Sequence, residues 1–291
     1  MGSIFSFCNQ KGGVGKTTSV INLSTVLAQK GYRVLVIDLD SQGNATSGFG
    51  VEKPHLNESV YQLIIESTDP SQLVKKSEIH RLEVIGSNAD LSGAELDLMN
   101  QESREYCLKR QLEKIQGRYD FIFIDCPPSL GLLTINALVA SNYVIIPLQC
   151  EYYALEGLAL LLHTYQLVKK NLHQTLDIGG VILTMADFRT NLTHQVIEEV
   201  KNYFHEKTFE TIIPRSVKLS EAPSFGKPAV IYDPASRGSV SYAALADEFA
   251  SRFGPGAKQT DSNDMIPSEQ VREEPVENVN TEPTNQAEGT V

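Results

Sequence analysis

Apolar and polar positions change period several times along the chain. Ile4–Cys8 is a short apolar run that stops at a glycine-rich segment, Thr17–Gln29 carries apolar residues at helical spacing, and Arg33–Asp38 is apolar again. Strand, loop, helix and strand in that order predict one βαβ unit. Further apolar runs at Leu82–Ile85, Phe121–Ile124, Tyr143–Pro147, Ile178–Thr184 and Phe209–Ile213 predict strands, and helical spacing is expected near 103–116, 154–169, 191–204 and 239–253. Runs this apolar suit strands covered on both faces. The predicted fold is therefore α/β: a doubly wound, mostly parallel sheet with helices on both faces, in a single domain over residues 1–254 with no internal repeat.

Composition changes that picture only at the C-terminal end. The chain of 291 residues is 41% hydrophobic and 21% charged, enough apolar material for one substantial core. Its formal net charge is −11, but residues 255–291 hold eight acids against Lys258 and Arg272, a balance of −6, and the remainder carries −5. That segment is rich in Pro, Asn, Thr and Gln and has few large apolar residues after Ile266, so it is expected to be an acidic disordered tail. No run approaches the roughly 18 apolar residues of a membrane helix, and no export signal is expected. Cys8, Cys107, Cys126 and Cys150 lack metal or disulfide spacing and are expected to be reduced, buried thiols.

The chemistry concentrates in the first loop, Gln10-Lys11-Gly12-Gly13-Val14-Gly15-Lys16-Thr17-Thr18. Glycines let backbone N–H groups curl around a phosphate, the following helix adds its dipole, Lys16 can reach the β and γ phosphates, and the Thr17 hydroxyl can ligate Mg²⁺. A bare flexible turn before a helix would need none of these residue types in this order. The standard G-x-x-x-x-G-K-[ST] pattern is nonetheless broken, because Gln10 takes the first glycine position and a second lysine, Lys11, lies inside the loop. Asp125 ends the run Phe121–Ile124, where an acid at the C-terminal edge of a sheet can hold the water shell of Mg²⁺; capping a nearby helix is the alternative. Asp38 and Asp40 flank Leu39 at the end of the second predicted strand and are expected to point to opposite faces and to serve different roles.

The segment K-G-G-V-G-K-T-T resembles the deviant Walker, or signature-lysine (SIMIBI), class of P-loop NTPases. Asp38-Leu39-Asp40-Ser41-Gln42-Gly43-Asn44-Ala45-Thr46, Asp125-Cys126-Pro127-Pro128-Ser129-Leu130-Gly131, Gln149-Cys150-Glu151-Tyr152-Tyr153-Ala154-Leu155-Glu156-Gly157 and Leu219-Ser220-Glu221-Ala222-Pro223-Ser224 extend the likeness to the chromosome and plasmid partition ATPases of the ParA and Soj type, over roughly residues 1–253. The resemblance implies ATP hydrolysis with Mg²⁺ as cofactor. It assigns catalysis to Lys11, Lys16 and Asp40, with Asp40 positioning or activating the attacking water. Residues Lys11 through Thr18 would bind nucleotide; Thr17, Asp40 and Asp125 would form the metal site, with Asp38 nearby or in a purely structural hydrogen bond. Ser41 stands where the family usually has proline, a departure expected to loosen the first switch loop without touching the chemistry.

The same resemblance makes Lys11 a finger inserted into a partner subunit's phosphates, so that ATP joins a homodimer and hydrolysis dissolves it with slow intrinsic turnover; a phosphate contact within its own subunit is the alternative. It also implies nonspecific DNA binding through Arg189, Lys218 and Arg215, with Lys227 and Arg237 able to join, although each is equally an ordinary surface charge. Lysine stands at 218 where the family more often has arginine, which keeps charge but loses bidentate geometry. Met185 and Pro214 are candidates for flanking adenine. The implied partner is a centromere-binding protein of the ParB or Spo0J type, and the expected location is cytoplasmic and nucleoid-associated. Three rivals share the loop. A division-site ATPase of the MinD type would end in a basic amphipathic helix rather than an acidic tail. An iron–sulfur reductase relative would need paired cysteines near the dimer face. An ATPase positioning another cytoplasmic cargo stays open.

Overall fold

In a computed structural model, residues 2–52, 58–151 and 156–256 are described. Nearly all of the expected acidic tail, 257–291, lies outside the described residues. The strands are β1 (Ser3–Phe7), β2 (Val34–Asp38), β3 (Lys75–Lys76), β4 (Leu82–Ile85), β5 (Phe121–Asp125), β6 (Tyr143–Gln149) and β7 (Asp177–Thr184). The helices are α1 (Lys16–Gln29), α2 (Asn44–Gly48), α3 (Val60–Ile64), α4 (Pro70–Leu73), α5 (Ala94–Met99), α6 (Cys107–Leu112), α7 (Leu132–Ala140), α8 (Glu156–Asn171), α9 (Asn191–Phe204), α10 (Val217–Glu221), α11 (Ala229–Tyr232) and α12 (Arg237–Phe253).

The strands form one sheet in the order β3-β4-β2-β5-β1-β6-β7, parallel except for the short edge strand β3. Alternation along each central strand divides the core between two faces. Phe5, Phe7, Val34, Val36, Phe121 and Phe123 pack under α1 and α12, whereas Ile4, Leu35, Ile37, Ile122 and Ile124 pack under α3, α5, α6, α7, α8 and α9. The first face is largely aromatic: the Phe5 ring meets Phe123 edge-on at 5.7 Å and Phe249 of α12 at 4.9 Å. Each such fully buried ring contributes roughly 1.5–3 kcal/mol of burial. The chain leaves β1 for β2 on one side and reaches β6 on the other. The C-terminal end of β1 is therefore a switch point, where a crevice opens between diverging connections.

Two expectations are corrected, and one helix is found that none of them covered. Phe209–Ile213 is not a strand: its two ends each reach β7 through one bond, from the Phe209 N–H to the Val181 carbonyl at 3.0 Å and from the Ile213 N–H to the Leu183 carbonyl at 2.9 Å, and isolated bridges flank it at Thr208 and Pro214. The N–H groups of Glu210 and Thr211 donate instead to the Glu248 carboxylate of α12, at 2.8 and 3.0 Å, so an unbroken ladder cannot form. The helix expected over 103–116 is split into a 3₁₀ turn (Arg104–Tyr106) and α6. Asn136 of α7 intervenes, accepting from the Leu108 N–H at 3.1 Å and donating to the Arg104 carbonyl at 2.9 Å. Helix α7 itself gives no amphipathic signal because almost every residue from Leu133 to Ala140 is buried. Helix α8 begins at Glu156, and the first two residues of the helix expected over 154–169 lie outside the described residues.

Candidate active site

The loop between β1 and α1 is shaped by backbone conformations that side chains disfavour. Gly13 and Gly15 have φ of +73° and +90°, in the left-handed region that glycine enters without penalty. Gly15 is also the N-cap of α1, and no side chain caps the helix there. In consequence, among the described residues none of the backbone N–H groups from Gly12 to Thr18 has a hydrogen-bond acceptor, and the first bond of the helix runs from the Ser19 N–H to the Gly15 carbonyl. A row of free donors at a helix N-terminus is an anion site. Lys16 is buried, and its Nζ donates to the Lys11 carbonyl at 3.2 Å, which holds the ammonium across the loop.

The loop is held from the sheet side. The Asn9 amide donates to the Pro147 carbonyl at 2.8 Å and accepts from the Lys11 N–H at 3.0 Å. Val14 is buried, and its carbonyl accepts from the Thr184 hydroxyl at 2.8 Å. Lys11 has its Nζ 3.9 Å from a Glu151 oxygen; the other Glu151 oxygen accepts from Arg215 at 3.1 Å and Gln149 at 2.6 Å.

Beside the loop, β2 and β5 deliver two carboxylates in register, Asp38 opposite Asp125, and both are fully buried. Asp38 is held: the Thr46 N–H and hydroxyl donate to it at 2.8 and 2.7 Å, and the Asp40 N–H at 3.1 Å. Burial pushes its carboxyl up to about 6; those hydrogen bonds oppose the rise, and the Asp40 charge adds to it. Asp125 differs, since neither of its oxygens has a well-formed hydrogen bond among the described residues. Burial first, and the Asp38 charge second, hold its carboxyl well above the usual range, while the nearby Thr17 hydroxyl and Lys16 ammonium pull it back. A buried carboxylate with free lone pairs beside a hydroxyl and an ammonium is a site built for a hard cation carried by a phosphate. The donor set fits Mg²⁺.

The expectation that Asp38 and Asp40 point apart fails. Residues two apart in extended backbone share a face, and Asp40 lies close enough for its charge to raise both Asp38 and Asp125. Asp40 is partly exposed, in a turn where its own oxygen accepts from the Gln42 N–H at 2.9 Å. The predicted residues Lys11, Gly12, Gly13, Val14, Gly15, Lys16, Thr17, Thr18, Asp40 and Asp125 are thus gathered at one end of the sheet. Met185 and Pro214 are brought side by side at the end of β7 by the Ala186–Pro214 bridge, and Met185 takes a left-handed φ of +53° in doing so.

The basic candidates are scattered and internally neutralised. Arg189 pairs with Asp187, Arg215 with Glu151 and Lys218 with Glu221, and Lys218 also lies over the Tyr232 ring. Arg189 projects most, its side chain being 88% exposed. Thr184 and Asn9 belong to no segment that carries the family likeness, and each has a distant partner, Thr184 being 170 residues from Val14 and Asn9 138 from Pro147; Thr46 and Glu151 stand within such segments, Thr46 eight residues from Asp38. Two cavities lie at the opposite end of the strands, around Arg33 and Tyr119, and are lined by none of these residues.

A β1–loop–α1 anion site with a buried lysine, together with an unpartnered carboxylate on the adjacent strand, defines a P-loop ATP hydrolase that works with Mg²⁺. A family model described as an AAA domain matches residues 2–178. The chain is 56% identical over 250 residues to the sporulation initiation inhibitor protein Soj of Bacillus subtilis (strain 168), covering 86% of this chain and 99% of that protein. It is 49% identical over 255 residues to the chromosome partitioning protein ParA of Myxococcus xanthus (strain DK1622), covering 88% and 90%. Among solved structures it resembles cobyrinic acid a,c-diamide synthase from Mycobacterium smegmatis with bound ADP and magnesium, with a TM-score of 0.75, 35% identity and coverage of 85% and 93%. The chain belongs to the Soj/ParA family of chromosome-partitioning ATPases. No helix among the described residues is long and apolar enough to cross a membrane.

Proposed function

We propose that this chain is a DNA-segregation switch: Mg-ATP drives a sandwich homodimer, the dimer holds DNA without regard to sequence, and hydrolysis stimulated by a centromere-binding partner of the ParB or Spo0J type resets it. The observation that carries the reading is Lys11, a second lysine within the loop whose ammonium, among the described residues, is tethered only by a long, half-exposed pairing with Glu151. Such a pairing is worth at most about 1 kcal/mol. A triphosphate offers a far stronger partner for that charge, on either subunit.

In this reading the free N–H groups of Gly12 through Thr18 and the Lys16 ammonium bind the phosphates, and Met185 and Pro214 flank the base. Thr17 and Asp125 hold Mg²⁺, with Asp40 at its margin. When bound, the cation neutralises charge on the phosphate oxygens. Asp40 orients the attacking water and accepts its proton as the oxygen bonds to the γ phosphorus and the bond to ADP breaks. Asp38, committed to Thr46, holds the segment from Asp40 to Thr46 in place rather than reacting. DNA contact falls to Arg189, Lys218 and Arg215. Because each is paired with an acid, binding by one subunit is weak, and two subunits together supply the avidity. Residues 1–254 form the ATPase domain and 255–291 an acidic tail outside it, and the protein works in the cytoplasm on the nucleoid.

The test is Asp40→Ala, followed by light scattering and by binding to a nonspecific duplex in Mg-ATP and in Mg-ADP. An ATP-dependent dimer that holds DNA and turns over poorly is expected. Wild-type turnover by the variant removes Asp40 from catalysis, and an ATP dimer that ignores DNA at low salt replaces segregation with another sandwich-dimer function.

A further inference from the structure

The Thr184 hydroxyl is buried at the last residue of β7 and donates to the Val14 carbonyl inside the phosphate loop at 2.8 Å. Its backbone is pinned as well, because the Thr184 carbonyl accepts from the Cys150 N–H at 3.0 Å. Its side chain also lies beside Gly15: a Cβ built there would sit 3.5 Å from the Thr184 methyl and 3.8 Å from its hydroxyl oxygen. Thr184 therefore holds the Val14 carbonyl and lies beside Gly15 from a strand end that is itself bonded in place.

A peptide unit is planar, and in the trans form its C=O and N–H point in opposite directions. No peptide here is cis. Holding the Val14 carbonyl toward β7 therefore turns the Gly15 N–H away from β7, where it has no acceptor among the described residues. Glycine at 15, with φ of +90°, resists a flip of that peptide less than any other residue would, so the orientation needs an external hold. A flipped peptide would present an oxygen in place of a donor, and an oxygen repels phosphate.

We infer that Thr184 is a positioning residue for nucleotide binding: its hydroxyl locks the Val14–Gly15 peptide with the Gly15 N–H available to a phosphate oxygen, and so joins the strand that carries Met185 to the phosphate loop. The inference rests on the proposed nucleotide site and adds to it a residue that does not touch nucleotide. The lock acts on the diphosphate as much as on the triphosphate, since it prepares the loop before chemistry.

The experiment compares Thr184→Val, which keeps the shape and removes the hydroxyl, with Thr184→Ser, which keeps the hydroxyl and removes the methyl. Mg-ADP affinity is read by calorimetry and ATP turnover by phosphate release. Thr184→Val is expected to weaken Mg-ADP binding about ten-fold and to raise KM by a similar factor, with kcat at saturating ATP within about two- to three-fold of wild type. Thr184→Ser is expected to bind as wild type does. Unchanged affinity in Thr184→Val, equal loss in both variants, or a loss in kcat at unchanged KM each overturns the inference. Wild-type binding of Mg-ADP, measured alongside, reports separately on the nucleotide site itself. Should Thr184→Val fold poorly, a ten-fold affinity loss in Thr184→Ser would still refute a role for the hydroxyl.

Discussion

Replacing Asp125 by asparagine should stabilise the nucleotide-free protein and disable it. The wild-type carboxylate is fully buried, has no well-formed hydrogen bond among the described residues, and sits across the strand pair from a second buried carboxylate, Asp38. Leaving a buried polar group unsatisfied costs about 1–3 kcal/mol, more when it is charged. Asparagine keeps the shape and an unsatisfied amide, so only the charge-related part returns, about 1–2 kcal/mol. For a domain of this size that corresponds to a rise in Tm of roughly 2–8 °C.

The sign with pH follows from the raised carboxyls. Burial pushes Asp38 up to about 6 and holds Asp125 well above its ordinary value, so between the unfolded and folded values the native state binds more protons than the unfolded one. Wild-type stability therefore falls as pH rises through that window. Asp125→Asn lacks part of this loss, and its advantage should be greater at pH 8 than at pH 5.5. Thermal unfolding at both values, with and without Mg-ADP, is the assay. A ligand at 100 times its Kd adds about 2.7 kcal/mol to the wild type, and the variant should lose the Mg²⁺-dependent part of that gain. An Asp125→Asn protein that is less stable than wild type at pH 8 without nucleotide, or that keeps the full Mg²⁺-dependent rise, would refute the reasoning.

Lys11→Ala is expected to bind ATP and to remain monomeric by light scattering; an ATP-stable dimer would return Lys11 to its own subunit's phosphates. Glu248→Ala strips the acceptor from the Glu210 and Thr211 N–H groups and the ion-pair partner from Arg252, and should cost about 1–3 kcal/mol in urea unfolding without changing Mg-ADP affinity in the folded protein.

Much of the fold was legible because its signals are local. Continuous apolar runs placed β1, β2, β4, β5, β6 and β7 within a few residues, and the helical period at 191–204 coincides with α9. The shape of the loop from Lys11 to Thr18 was legible for the same reason: glycines at fixed offsets between a strand and a helix predict left-handed backbone and a helix start at Lys16 without reference to any distant residue. What the sequence by itself determined is therefore whatever depends on neighbours along the chain. Tertiary structure decided the rest. It broke the expected strand at 209–213 with a carboxylate from α12, split the helix at 103–116 with an asparagine from α7, and set Asp38 against an Asp125 that has no well-formed hydrogen bond among the described residues. It also tied Val14 to Thr184, 170 residues away. The physical reason is common to these cases. A buried polar group must find a partner wherever the fold supplies one, and local periodicity carries no record of which distant side chain that will be.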